Sequence, residues 1–171
     1  VFGEIEFEVL PLADLPPLER VVCWLDPAVS SSKRSHNQAI SIDGLEDRDG
    51  LPKDESQRIF RLFSWEGVES PTQVIRRALR ACMRFGAVSI GFETNMGGDL
   101  WQTTYDTVAT EMLDADEIDR KPTFRSERAT ATTGGKEERT DQMYDEYMRG
   151  LIIHTEGSDA LESALRRFPG T

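Results

Sequence analysis

Short apolar runs broken by polar turns fill the first third of this chain, and helical spacing takes over after residue 70. Val21-Val22-Cys23-Trp24-Leu25 is too short for a helix and rich in β-formers, so it reads as a buried strand. It ends on Asp26, and Pro27, with no N–H for a ladder, stops regular pairing there. After a polar loop with Ser30, Ser31 and Ser32, residues 37–43 alternate as a second strand. Residues 43–55, rich in Asp, Glu and Gly, read as a solvated turn, and Arg58 to Trp65 as a third strand. No connection so far demands a crossover, so three antiparallel neighbours are expected. At the amino terminus Glu4-Ile5-Glu6-Phe7-Glu8-Val9 alternates strictly, as a half-exposed strand would, and Pro11, Pro16 and Pro17 make residues 10–19 a connector.

Ser70-Pro71 announces a helix, with serine as N-cap and proline in the first turn. Val74, Ile75, Ala78, Leu79, Cys82 and Phe85 share one face, Arg76, Arg77, Arg80 and Arg84 the other, and Gly86 closes it. The arginine face reads as solvated, with DNA contact as the alternative. Ala87 to Phe92 is the next strand and ends on Glu93. A strand–helix–strand unit of this length is a crossover, so this strand is expected parallel to an earlier one. Asp26 and Glu93 then lie at the carboxyl ends of strands, the edge where open α/β sheets carry their sites. A second helix follows, with Leu100, Trp101, Tyr105, Val108 and Met112 on one face. Then come a short strand over residues 121–126 and a third helix with Met143, Tyr144, Tyr147, Met148 and Leu151 together. Residues 151–154 form a short strand ending on a structural His154, and Ser158 caps a last helix through Phe168. Trp24, Trp65 and Trp101 sit in core patterns, which speaks against base stacking.

A length of 171 residues suits one domain, and no apolar run approaches the ~20 residues of a membrane helix. The amino terminus lacks a basic segment followed by an apolar one, so no signal peptide is read. Cys23 and Cys82 occupy core-type positions without CxxC spacing, which points to reduced thiols in a cytosol-like compartment and to no metal role. The net charge of −11 argues against nucleic acid until its distribution is considered. Residues 1–19 carry five acids and no base, residues 71–86 four arginines and no acid, and residues 120–139 six bases against three acids. Charge segregated in this way can form a basic face on an acidic protein.

Gly134-Gly135-Lys136 is not a phosphate-binding P-loop. Thr130 stands where its first glycine belongs, and Glu137 where the hydroxyl residue after the lysine belongs. The order of strands and helices, with acids ending the first and fourth strands of residues 21–93, is that of a ribonuclease H-like fold: a mixed α/β sheet of three antiparallel strands followed by parallel ones, flanked by helices. LDPAVSS, GFETNMGG, GGKEERTDQMYDEYMRGLIIH and DALESALRRFPGT closely resemble the C-terminal nuclease domain of terminase large subunits from tailed phages, over residues 20–171.

That resemblance implies a metal-dependent endonuclease that cuts concatemeric double-stranded DNA by two-metal hydrolysis, in the cytoplasm of a bacterial host. Asp26 and Glu93 would be catalytic and hold Mg²⁺ or Mn²⁺, hard cations suited to carboxylates. Lys136, Arg139, Arg128 and Arg125 would lie along the DNA. Asp99 reads as a helix-dipole partner or as an auxiliary ligand through water, and His36 as an exposed loop residue or a proton carrier beside the site. Implied partners are an ATPase domain upstream of residues 1–19, which read as lead-in strand and linker, together with the portal and the small terminase subunit; no membrane is implied. The family's third metal-binding carboxylate lies beyond the segment resembling Arg166-Arg167-Phe168-Pro169, and is expected past Thr171. An acid often stands in the family where this chain has Asn37, so no ligand is assigned there. Two other readings stay open: a non-catalytic docking module of the packaging motor, and a Holliday-junction resolvase-like nuclease.

Overall fold

The computed structural model describes residues 2–27, 37–53, 55–93, 98–127 and 136–167, with the side chains of Glu4, Gly98, Glu127 and residues 136–139 outside the description. Seven strands form one mixed sheet: β1 (Val9–Leu10), β2 (Leu18–Asp26), β3 (Gln38–Glu46), β4 (Ile59–Gly67), β5 (Ser89–Glu93), β6 (Thr123–Glu127) and β7 (Ile152–Thr155). Their order across the sheet is β1-β7-β4-β3-β2-β5-β6. The expected antiparallel trio β2, β3 and β4 is present, and β5 pairs parallel with β2, β6 with β5, β7 with β4 and β1 with β7.

The crossover from β4 to β5 is α1 (Pro71–Phe85). Its first turn is closed by a reciprocal pair in which Ser70 accepts from the Gln73 amide and the Gln73 side chain accepts from the Ser70 amide. Gly86 ends it at φ 75°, a left-handed conformation that costs glycine little. Val74, Ile75, Ala78, Leu79 and Cys82 are buried as the spacing predicts; Ala81 is buried as well, while Phe85, at the end of the helix, is only half-buried against the core. With α2 (Gly98–Asp114), which contributes Trp101, Tyr105, Val108 and Met112, it covers one face of the sheet over Leu25, Ile40, Ile42, Phe60, Ile90 and Phe92. Three of the four arginines on the outer face of α1 are paired: Arg76 reaches Glu111 at 2.6 Å, Arg80 reaches Glu117 at 2.8 Å, and Arg77 reaches Glu69 at 2.5 Å while lying over the Trp65 ring; Arg84 lies over the Phe85 ring. Cys23 and Cys82 are free and buried, and mutual contact, then burial, pushes the Cys23 thiol up.

The opposite face carries α3 (Lys136–Met148) and α4 (Asp159–Arg166), which pack over β7 and β4. Several expectations change here. Residues 4–9 are not one strand: a 3-10 turn spans Phe2–Glu4, and only Val9–Leu10 pairs with a neighbour. Phe2 and Ile5, three apart, are both buried against Tyr147 and Leu165, and that packing overrides the alternation. The supposed solvated turn begins late, because β3 runs on through Glu46, whose carboxylate takes Arg58. Leu100 and Met148 are 62% and 65% exposed, so neither belongs to its helix's buried face, and Leu151 lies past the end of α3, beyond Gly150. Ser158 precedes α4, but its hydroxyl donates to the Arg61 carbonyl; the Leu161 amide is met instead by Ser64 of β4. The helix ends at Arg166, and Phe168 lies outside the described residues.

His154 is structural. It is fully buried, with Nε2 at 2.6 Å from the Tyr147 hydroxyl and Nδ1 at 2.8 Å from Glu162, and its ring stacks on Phe7. Burial holds its pKa below the usual imidazole value, against the opposing pull of the Glu162 carboxylate. Above about pH 6.5 folded and unfolded chains are both neutral at this position; below it the unfolded chain binds the proton first, so stability falls until the folded form is protonated too. Glu46 and Glu69, held below the usual carboxylate range by hydrogen bonds from Arg58 and Arg77, lose their contributions only at lower pH. The wild-type melting temperature is therefore expected to drop between pH 7.5 and 5.5. His154→Gln should melt lower at pH 7.5 and show a shallower slope over the same window. Equal slopes in both proteins would refute this role.

Candidate active site

The pairing register assembles the site. Leu25 of β2 lies opposite Phe92 of β5, so one step further along two parallel strands Asp26 comes beside Glu93. Adjacent strands lie about 4.8 Å apart, and side chains at matching positions leave the same face. Asp26 is also opposite Ala39 of β3, which is opposite Glu66 of β4. On the other flank Glu93 is opposite Glu127. One cross-sheet row at the carboxyl ends of β2, β5 and β6 thus reads Glu66, Ala39, Asp26, Glu93, Glu127, with Asp26 exposed and Glu93 half-buried.

Phe92 and Phe124 stack at 4.5 Å, and Tyr105 of α2 stacks on Phe124 at 4.4 Å, which marks their face as the α1–α2 side. Alternation puts Asp26 and Glu93 on the other face. There, among the described residues, α3 packs chiefly over β7 and α4 over β4, to one side of β2, β5 and β6. One residue row below the carboxylates stand Ser64, Ser41, Trp24, Gly91 and Arg125. Arg125 is exposed on the edge strand β6, the same face as the acids. Trp101, at 5% exposure, is buried in the core and the half-buried Trp65 packs against that core, whereas the half-buried Trp24 lies on the other face; the core pattern misplaced Trp24 because central strands are apolar on both faces. Asn37 is exposed and donates to Glu66 at 2.8 Å, and Arg167 approaches the same carboxylate at 3.3 Å.

The remaining sequence candidates are less well placed. Asp99 is exposed in the first turn of α2, where its charge complements the helix N-terminus, and α2 begins five residues after Glu93. His36 and Arg128 lie outside the described residues, as do the side chains of Lys136 and Arg139 in the first turn of α3. Glu127 could have been noticed by the rule that singled out Asp26 and Glu93, since it too ends a strand. Glu66 and Trp24 required strand pairing or strand period to be placed.

Oxygen donors from carboxylates, with no thiolate or imidazole beside them among the described residues, suit Mg²⁺ or Mn²⁺. No group of three or more His, Cys, Asp or Glu side chains gathers among the described residues, so a cation held by two carboxylates alone would keep several of its waters.

No family model matches this chain, and no curated protein matches it. Among solved structures, the human cytomegalovirus terminase nuclease domain superposes with a TM-score of 0.58 at 11% identity, covering 85% of this chain and 71% of that one. Thermus thermophilus RuvC gives 0.47 at 12% identity, covering 85% of this chain and 89% of that one, and the Fowlpox virus resolvase, solved with Holliday junction DNA, 0.38 at 10%, covering 86% and 85%. Identities this low speak of the fold alone, and at that level the architecture is settled: this chain has the ribonuclease H-like fold.

Proposed function

We propose that this chain is the nuclease domain of a terminase of tailed-phage type, a metal-dependent endonuclease that cuts concatemeric double-stranded DNA. The observation that carries the reading is the register that sets Asp26 beside Glu93 at the carboxyl ends of two parallel central strands, on the face opposite α1 and α2. The superposition with a terminase nuclease domain and the motif resemblance favour the packaging context.

Asp26 and Glu93 would hold Mg²⁺ or Mn²⁺, two ions in the full site. Divalent cations bound there supply an activated water and neutralise charge developing on the phosphate. Asp26 and Glu93 orient that centre from rigid strand ends, and Arg125, on the same face, stands where it can meet a DNA phosphate. Lys136, Arg139 and Arg128 continue the DNA path in this reading, and a third carboxylate would come from the segment that follows Arg166-Arg167-Phe168-Pro169, as the resemblance implies. The packaging ATPase domain, the portal and the small subunit would be its partners in the bacterial cytoplasm.

Cleavage by the full-length protein on linear duplex and on a four-way junction, with and without Mn²⁺, tests this. Metal-dependent cutting of linear duplex with weak sequence preference is expected. Cutting confined to the junction would make the chain a resolvase. No cutting, together with no Mn²⁺ binding by calorimetry, would leave a docking module.

A further inference from the structure

Trp24 stands two residues before Asp26 on β2, so both side chains leave the same face. A Cβ on Gly91 would come within 2.6 Å of the Trp24 ring, so the indole lies over the Gly91 backbone, in space only glycine leaves free. Across β2 from Gly91 its row neighbours are Ser41 and Ser64, both too short to cover it. The ring stays half-exposed and forms one wall of a groove of about 330 Å³ between the sheet and α4. Asp26 lines the same groove, as do Leu161 and Ala164 of α4.

We propose that this groove receives the nucleoside that flanks the phosphate being cut, with Trp24 as the surface on which its base stacks. The inference rests on the nuclease reading above and adds the subsite next to the metal-binding carboxylates. Two features select this occupant. Asp26 belongs both to the carboxylate row and to the groove, so whatever fills the groove lies next to whatever the carboxylates hold. An anion is disfavoured, because Asp26 and Glu66 both line the groove. What remains is a flat, uncharged ring tethered to a phosphate, placed against an indole, two serine hydroxyls and the apolar side of α4. Every base has a π-face, so stacking of this kind holds DNA without reading sequence, in keeping with a nuclease of weak sequence preference.

The test uses the full chain with Trp65→Phe, so that emission comes from Trp24 against a constant background from buried Trp101. A dye-labelled single-stranded dodecanucleotide is titrated in Ca²⁺, with tryptophan emission and dye anisotropy followed together. The expected result is quenching of Trp24 in step with binding, and weaker binding with little quenching by an oligomer of abasic deoxyribose phosphates. Trp24→Ala should raise Kd about ten- to hundredfold, and Trp24→Phe should recover most of the loss. DNA that binds without altering Trp24 emission, or Trp24→Ala with the parental Kd, overturns the subsite and leaves the nuclease reading intact. No anisotropy change, together with no cleavage of any DNA in Mn²⁺, overturns both. If Trp24→Ala loses its circular dichroism signature, the emission titration and Trp24→Phe decide the matter, since a phenylalanine that binds and a tryptophan that quenches report on contact and not on folding.

Discussion

Asp26→Asn is expected to lower the cleavage rate about a thousandfold while leaving the melting temperature within about 1 °C of the parent. Asparagine keeps the shape of the side chain but removes the charge that the carboxylate brings to bound cations. Lewis-acid stabilisation of this kind is worth several kcal/mol in the transition state, and about 4 kcal/mol corresponds to three powers of ten. The side chain is exposed at the end of β2, so no buried packing is lost with the charge. Glu93→Gln should behave alike, and the double variant should be little worse than either single one, because the two residues act as one centre. Calorimetry with Mn²⁺ should show the same loss. Parental cleavage by Asp26→Asn would mean that the reaction centre lies elsewhere on the chain.

The second large effect concerns stability. Arg61 and Asp43 pair at 2.6 Å with side chains 18% and 17% exposed, under α3 and beside Tyr147. Burial alone would disfavour the Arg61 cation, but the Asp43 carboxylate and Tyr147 outweigh it and keep the guanidinium charged. Among the described residues neither Asp43 Oδ1 nor Arg61 Nε finds a hydrogen-bond partner, so the pair is only partly satisfied. Arg61→Met leaves an unpaired carboxylate in a mostly dry place, at a cost of about 3–5 kcal/mol. For a domain of this size that is a fall of roughly 6–20 °C in melting temperature. Adding Asp43→Leu to Arg61→Met removes the orphaned charge and should recover most of the loss. Differential scanning calorimetry of the single and double variants checks this; a double variant no more stable than Arg61→Met would show that the loss came from packing alone.

Much of the architecture was legible in the sequence because it rests on local signals. Ser70-Pro71 and Gly86 bracket α1, and its apolar spacing names most of the buried face, missing the buried Ala81 and including Phe85, which is only half-buried at the helix end. The β-former runs place β2, β3 and β4, and the crossover length makes β5 parallel, which suffices to put Asp26 and Glu93 on one edge. The strand-end acids were legible for the same reason: a proline after Asp26 and a polar turn after Glu93 show where each ladder stops.

What the tertiary structure alone decided is which surfaces meet. Alternation over residues 4–9 predicts a strand, yet Phe2 and Ile5 turn inward because the cluster around Tyr147 and Leu165 supplies a place to bury them. A period of two cannot say which face of a central strand lies under a helix, so Trp24 passed for a core residue until pairing set it beside Gly91 and Ser41 on the face opposite α1 and α2. The Asp43–Arg61 pair, and the row that aligns Glu66 and Glu127 with Asp26 and Glu93, join residues from separate strands, and register is set by the packed sheet as a whole. Local propensity acts over a few neighbours, whereas the site is made of contacts between residues tens of positions apart, and only burial of the shared core brings those together.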